Sequence, residues 1–192
     1  LDTGLLEERE ELEDTLRSNG LTPARVLCSH AHVDHCANNR YFQEKYGTKI
    51  ALTFPEAGMC ASLLTLKCYF LTLSPGTVER ESSCMVHRPD RFIPPGDGPF
   101  TLGGVEFQII QTPGHSAGHI CTVTPDNVCY TADALLSACM LESKLPYNLS
   151  QAMAMDSREK LRRLGCGFYV MAHRGVCSGE EAGPLIDANQ AL

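Results

Sequence analysis

The sequence predicts a single-domain α/β protein, on three observations. The first half alternates apolar runs with amphipathic stretches in the order helix, strand, helix, strand, with short connections. The second half holds several β-rich segments separated by turn residues. The chain has 192 residues, of which 43% are apolar, so it is long enough to bury one core.

The first half opens with a stretch rich in Glu, Leu and Arg at residues 5–18, which predicts a helix that ends at Asn19-Gly20. A short apolar run at 25–28 predicts a buried strand. A second helix is expected at about 36–46, and the next strand at 49–53. This order of elements is typical of an α/β sandwich.

A lid-like insertion is expected at about 55–99, where the pattern loosens into one helix and a connection containing Pro and Gly. Together with the loop at 144–148 it is expected to form the wall of the functional site and to choose the substrate. The alternative is that its apolar residues at helical spacing pack as core. These residues are Met59, Leu63, Leu64, Leu66, Tyr69 and Phe70.

The second half predicts the strands of one sheet, followed by a helix, a last strand and a further helix. Turn signals at 103–104, 113–114 and 125–127 separate the strands. The predicted strands are 105–111, 119–124, 128–131 and 168–172, and the predicted helices are 150–164 and a stretch from Ser178 onward.

Charge and hydropathy argue against nucleic acid and membrane as partners, and a small-molecule substrate is expected. There are 16 basic against 23 acidic residues, a net charge of −7, and no Lys/Arg-rich run, so nucleic acid is not expected. The most apolar stretch, 58–73, is too short for a bilayer span and contains Lys67, so no membrane is expected. The oligomeric state is not predicted.

The ten cysteines are scattered and form no Cys-x-x-Cys pair, which predicts reduced, buried thiols and a cytoplasmic protein. The chain begins at Leu1 without Met, in a segment that resembles the end of a strand running into a turn. We therefore expect the domain to lack its N-terminal strands in this chain.

The most specific motif runs from Ser29 to His35, directly after a predicted strand and directly before a predicted helix. Residues two apart in an extended segment point the same way, so His30 and His32 can present imidazoles to one ion. The turn into the helix re-aims Asp34 and His35 toward a second position. Imidazole and carboxylate suit zinc, with iron or manganese as alternatives.

Three more candidate ligands lie at the ends of predicted strands. His115 follows Pro113-Gly114, where glycine permits a tight backbone. Asp133 follows the strand 128–131, and His173 follows the strand 168–172. A lone His or Asp at a strand end is more often structural than a ligand, but together with the first motif these three indicate a metal centre.

Taken together, these motifs resemble those of the metallo-β-lactamase superfamily, and the resemblance extends from Asp2 to His173. The superfamily's motifs occur in order: Asp-Thr-Gly at Asp2, the His-rich motif, Thr112 to His119, Tyr130 to Leu135, and His173. The resemblance implies an αββα sandwich. It also implies that Asp2 supports the metal loop, Ser29 to His35, by hydrogen bonds. One metal ion would be bound by His30, His32 and His115, and the second by Asp34, His35 and His173. Asp133 would bridge the two ions.

The resemblance further implies a dinuclear hydrolase in which a metal-bridging hydroxide attacks a small ester, thioester or lactone, with Asp34 also able to accept or relay the proton. Zinc β-lactamases of the commonest kind carry Cys where this chain has Asp133, and the flavin-partnered diiron reductases carry Glu at the position of His32. The chain is most similar to glyoxalase II-like hydrolases, although that group usually has Gly in place of Ala132. An iron-dependent persulfide dioxygenase and a phosphodiesterase are the alternatives.

Three nearby residues are not expected to bind metal. We expect His87 to lie on the surface of the insertion and His119 to be structural or to support a ligand. Cys36, beside the metal loop, is expected to be a packed thiol.

Overall fold

The computed structural model describes residues 1–143 and 147–191. Its backbone forms two compact units, Leu1–Pro94 and Pro95–Leu192, each with its own sheet and its own core. The predicted α/β class is confirmed, because both units combine a sheet with helices. The single domain remains a prediction.

The first unit contains a parallel three-stranded sheet in the order β1-β2-β3, formed by β1 (Arg25–Leu27), β2 (Lys49–Thr53) and β3 (Arg91–Ile93). The helices of this unit are α1 (Arg9–Ser18), α2 (Val33–Cys36), α3 (Asn39–Tyr46), α4 (Phe54–Met59), α5 (Leu63–Tyr69) and α6 (Pro75–Ser82). Strands β1 and β2 carry the apolar residues that the sequence predicted, and both pack into the core of this unit.

The expectation of one helix in the insertion is wrong, because the structure forms α4, α5, α6 and β3 there. A short helix depends more on capping residues at its start than on a long periodic pattern of apolar residues. The Ser62 side chain accepts a hydrogen bond from the Thr65 amide at the start of α5, and the Ser74 side chain does the same for Thr77 at the start of α6. Pro55 lies in the first turn of α4, where its missing amide hydrogen costs nothing.

The insertion supplies both core and surface residues. Leu66 is fully buried and Met59 is buried in the core of the first unit. Leu64, in contrast, is 72% exposed. Packing as core is therefore observed for part of this segment, and its role as the wall of the functional site stays a prediction.

The second unit contains a six-stranded sheet in the order β4 to β9, antiparallel except for the parallel pair β7–β8. The strands are β4 (Gly98–Leu102), β5 (Val105–Gln111), β6 (Ile120–Val123), β7 (Val128–Ala132), β8 (Phe168–Met171) and β9 (Gly175–Ser178). The helices are α7 (Ala138–Ser143), α8 (Gln151–Arg162) and α9 (Gly179–Gln190).

The predicted strands of the second half do lie in one sheet, but the sequence missed β4 and β9. Strand β4 contains Gly98 and Pro99, which usually indicate a turn, and β9 has only four residues. Of the predicted loop at 144–148, residues 144–146 lie outside the described part of the chain. Among the described residues, no helix has the length and apolar character that crossing a bilayer requires.

All ten cysteines are free thiols, as the sequence predicted, and seven of them are buried. The exceptions are Cys68 and Cys139, which are exposed, and Cys84, which is partly exposed. The structure thus confirms packed thiols for most of the set, Cys36 among them.

Candidate metal centre

The His-rich motif leaves β1 as extended backbone and enters α2 at Val33, as predicted. His32 is the last extended residue, with φ −81° and ψ 158°. His30 and His35 are buried, and their ring centroids are 4.0 Å apart. His30 Nε2 lies 3.1 Å from His32 Nδ1, and Asp34 Oδ2 lies 3.7 Å from His35 Nε2. The first unit thus brings its four predicted ligands together.

The Asp2 carboxylate organises this loop from the start of the chain. Its Oδ1 accepts a hydrogen bond from the Ser29 amide at 2.7 Å. Its Oδ2 accepts one from the Ser29 hydroxyl at 2.7 Å and pairs with His35 Nδ1 at 2.8 Å. The supporting role implied for Asp2 therefore matches its contacts. Burial alone would raise the pKa of Asp2, but the hydrogen bonds from His35 and Ser29 outweigh it and lower that pKa.

These contacts fix which nitrogen of each imidazole carries the proton. The Ser29 hydroxyl gives its one proton to Asp2, so it accepts at 3.0 Å from Nδ1 of His30. His35 Nδ1 faces a carboxylate oxygen and is likewise the protonated nitrogen. Both rings then present an unprotonated Nε2, the form that a metal ion binds.

The backbone around Asp2 is held as firmly as its side chain. The Asp2 amide donates to Leu27 at the end of β1 at 3.2 Å, and the Thr3 amide donates to the carbonyl of His35 at 2.7 Å. Asp2 has φ +52°, in the left-handed region that Asp tolerates better than most residues. The local conformation is therefore set by the same residue that holds the imidazoles.

Two residues of the insertion also contact the metal loop, and the sequence did not reveal either. Glu56 in α4 is buried and accepts a hydrogen bond from the Ala31 amide at 2.9 Å. The hydroxyl of Tyr69, the last residue of α5, lies 2.8 Å from His32 Nε2. The one sequence signal for a role of Glu56 is that it is a glutamate in an otherwise apolar stretch.

In the second unit, the three predicted ligands come together at the ends of strands. Asp133, just after β7, places Oδ2 at 3.4 Å from Nε2 of His115 and 3.3 Å from Nε2 of His173. His115 Nδ1 lies 2.8 Å from the carbonyl oxygen of Tyr147, which can only accept. His115 therefore also presents an unprotonated Nε2. The Asp133 carboxylate thus lies between the imidazoles of His115 and His173.

Gly114 is required beside His115. It has φ +140°, and a Cβ at this position would lie 2.3 Å from the backbone nitrogen of Ala154. Only glycine permits this approach to α8, as the Pro-Gly-His pattern predicted.

The remaining histidines are both buried. His119 shares a 2.8 Å hydrogen bond with Thr112 Oγ1, and its ring lies edge-on to that of His115, with centroids 5.8 Å apart. This agrees with a structural or supporting role. It also shows how β5 and β6 hold the turn that carries His115.

The expectation that His87 lies on the surface is wrong. Its side chain is buried, with Nδ1 2.8 Å from the Met85 carbonyl and Nε2 3.1 Å from the Asn39 amide nitrogen. A hydrogen bond with Cys36 and a further one with His87 lower the pKa of the Cys60 thiol to about 6, against the effect of burial. The irregular sequence around His87 hid this packing because it depends on residues far along the chain.

The donors fit a divalent metal. The first unit offers His30, His32, Asp34 and His35, and the second offers His115, Asp133 and His173, so each supplies imidazole nitrogens and carboxylate oxygens. The separation of 3.1 Å between the facing nitrogens of His30 and His32 is close to the roughly 3.3 Å expected of two nitrogens on one tetrahedral zinc with bonds of about 2.0–2.1 Å. A protein with such donors is of the metal-binding class, with zinc, iron or manganese as suitable ions.

A model of the metallo-β-lactamase superfamily matches residues 1–173. The chain belongs to this superfamily. It is 30% identical, over 131 residues, to the hydroxyacylglutathione hydrolase of Rhizobium meliloti (strain 1021), an alignment that covers 68% of this chain and 41% of that protein. This confirms the resemblance to glyoxalase II-like hydrolases, although the chain spans about two fifths of the length of that curated relative.

Solved structures confirm the fold. A metallo-β-lactamase family protein from Thermus thermophilus is similar with a TM-score of 0.73 and 24% identity, covering 99% of this chain and 70% of that one. A second solved structure, of a protein in a di-iron-bound form, has a TM-score of 0.67 and 21% identity, covering 96% of this chain and 85% of that one. The predicted fold of the metallo-β-lactamase type is thus correct.

Proposed function

We propose that this chain is the catalytic part of a dinuclear metal-dependent hydrolase that cleaves a small ester, thioester or lactone. Following the superfamily motifs, one metal is assigned to His30, His32 and His115, and the second to Asp34, His35 and His173. Asp133 is assigned as the bridge. The observation that carries the proposal is that Nδ1 of His30, His35 and His115 each lies within 3.0 Å of an oxygen atom that can accept its proton, which orients Nε2 of each ring as the metal-binding nitrogen.

Two bound divalent ions supply a water of near-neutral pKa and polarise the carbonyl oxygen of the substrate. The residues of the chain orient and hold these donors. The Asp34 side chain is 31% exposed, against 9% for Asp133, so Asp34 is the carboxylate with access to solvent. We assign it the further role of passing the proton released by water to the departing thiolate or alkoxide.

The thioester class is supported by the hydroxyacylglutathione hydrolase relative, which is the longer protein of the two. Cleavage of a thioester by water yields a carboxylic acid and a thiol. Recognition of the glutathione part is not included in the proposal, because the chain spans only part of that relative. Zinc is the proposed metal, and the similar protein in a di-iron-bound form keeps iron as the alternative.

A cytoplasmic location is proposed on the ten free thiols, since an oxidising compartment would tend to couple so many cysteines. A small molecule is the proposed partner.

The test is to load metal-free protein with zinc, manganese or ferrous iron, measure bound metal, and assay thioesters, lactones, phosphodiesters and β-lactams. About two metal ions per chain and turnover of a thioester or lactone are expected. His115→Ala is expected to lower metal content and hydrolysis together, because it removes a ligand with a fixed tautomer. Asp126→Ala, a substitution in an exposed turn of the same unit, is the control.

Other outcomes would contradict the proposal. One iron per chain with oxygen-dependent consumption of persulfides would favour the dioxygenase. Turnover confined to phosphodiesters would favour the phosphodiesterase. Full metal content and unchanged turnover in His115→Ala would remove the ligand assignment.

A further inference from the structure

We propose that Tyr69 is a positioning residue that selects the nitrogen His32 offers to a metal ion, so that the insertion is part of the metal centre. The proposal rests on the 2.8 Å hydrogen bond between the Tyr69 hydroxyl and His32 Nε2. This inference rests on the proposed function only for the assignment of His32 as a ligand.

The direction of this hydrogen bond follows from the neighbouring ring. His30 has its proton on Nδ1, so its Nε2 presents a lone pair toward His32 Nδ1 at 3.1 Å. The His32 Nδ1 proton is therefore donated to His30 Nε2, and His32 Nε2 accepts a hydrogen bond from the Tyr69 hydroxyl. A phenol hydroxyl can also accept, so this contact persists when an ion takes the place of the proton on Nδ1 and Nε2 carries the proton of the ring. Tyr69 thus occupies Nε2 and leaves Nδ1 as the nitrogen for a metal ion.

The phenol is held in place by its own helix. Leu66, one turn earlier in α5, is fully buried, and residues three apart on a helix share a face. The Tyr69 ring packs against the core of the first unit and lies edge-on to Phe70, with centroids 5.0 Å apart. Packing thus fixes the position of the Tyr69 hydroxyl, so the hydroxyl can set the orientation of the His32 imidazole.

A second contact from the insertion acts on the adjacent residue of the loop. Glu56 accepts a hydrogen bond from the Ala31 amide, which lies between His30 and His32. Helices α4 and α5 thus hold two successive residues of the loop, one through its backbone and one through its side chain. A segment that only covered the site would not need to contact the backbone between two ligands.

The experiment compares Tyr69→Phe with Tyr46→Phe. Each substitution removes one hydroxyl, and Tyr46 donates to Glu13 at 2.6 Å on the surface of the same unit. Each metal-free protein is titrated with zinc in competition with a chromophoric chelator, which gives the zinc affinity. A second titration uses cobalt, whose visible absorption reports the geometry of its ligands. We expect Tyr69→Phe to weaken one metal site by about 10- to 100-fold and to change the cobalt spectrum. Tyr46→Phe should match the wild type.

A second readout does not need metal or activity. The ¹⁵N chemical shifts of the His32 ring in the metal-free protein should show Nδ1 protonated in the wild type and a mixture of tautomers in Tyr69→Phe. Equal metal affinities in Tyr69→Phe and wild type would overturn the proposal, as would unchanged ¹⁵N shifts. If the wild type binds no metal, the proposed function fails, while the ¹⁵N shifts still decide the role of Tyr69.

Discussion

His35 Nδ1 lies 2.8 Å from Oδ2 of Asp2, although 33 positions separate the two residues in the chain. The same carboxylate oxygen accepts the hydroxyl of Ser29, which in turn fixes the proton of His30. One carboxylate therefore determines the tautomers of two imidazoles. Its removal should affect metal binding more than folding.

Asp2→Asn is expected to weaken metal binding by about 10- to 100-fold. The amide keeps the shape of the side chain and tolerates a positive φ, but its single oxygen cannot accept all three hydrogen bonds. Isothermal titration of metal-free protein with zinc measures the change.

Asp90→Asn is the matched control, because Asp90 also accepts a backbone hydrogen bond in the first unit, from Ile50 at 3.0 Å, and pairs with Lys49. It should lower stability while leaving zinc affinity unchanged. Equal losses of affinity in both variants would contradict the role given to Asp2.

Asp133→Ala is expected to remove about one of two bound metal ions, because the carboxylate lies between His115 and His173. The assigned second metal should be lost before the first, whose three imidazoles remain. Metal analysis after dialysis against a weak chelator measures the stoichiometry. Retention of two ions, or a loaded crystal structure with Asp133 away from both, would refute the bridging assignment.

Ala132→Gly is expected to stabilise the protein by about 0.5–1 kcal/mol. Ala132 has φ +45° at a register shift between β7 and β8, where a left-handed L-residue costs roughly 1–2 kcal/mol. The greater freedom of glycine in the unfolded chain offsets part of this gain.

Urea unfolding of metal-free protein measures the difference in stability between Ala132→Gly and the wild type. Ala134→Gly, at a position without positive φ, should destabilise instead; a loss of stability in both variants would show that Ala132 is not strained.

Leu66→Ala and Leu64→Ala should separate core from surface in the insertion. Leu66 is fully buried, so its truncation should cost about 2–5 kcal/mol without selective change between substrates. Leu64 is 72% exposed, so its truncation should change stability by less than about 0.5 kcal/mol. If the exposed side lines the pocket, Leu64→Ala will change the preference among acyl chains. Similar unfolding free energies for both variants would contradict the burial.

The sequence predicted what depends on local pattern. The His-rich motif, the strand before it and the glycine stop of α3 at Gly47 are all encoded within a few residues, and each appears in the structure. Strand β5 has the bounds that its alternation predicted. The candidate ligands of the second unit were predicted for the same reason, because strand ends follow from strand positions.

The sequence could not predict contacts between distant segments. Nothing near Tyr69 indicates that its hydroxyl reaches His32, and the irregular stretch around His87 gives no sign that Asn39 covers it. The strand β3 was missed because its two exposed residues conceal a pattern that only pairing with β2 reveals. These features arise from packing, which local propensity does not determine.

The shared use of Asp2 by His30 and His35 has a consequence for the two metal positions. The hydrogen bonds of Ser29 and His35 to Asp2 orient both imidazoles through one carboxylate. A substitution that loosens this carboxylate should therefore weaken both metal positions at once, whereas loss of a single imidazole should weaken mainly its own position.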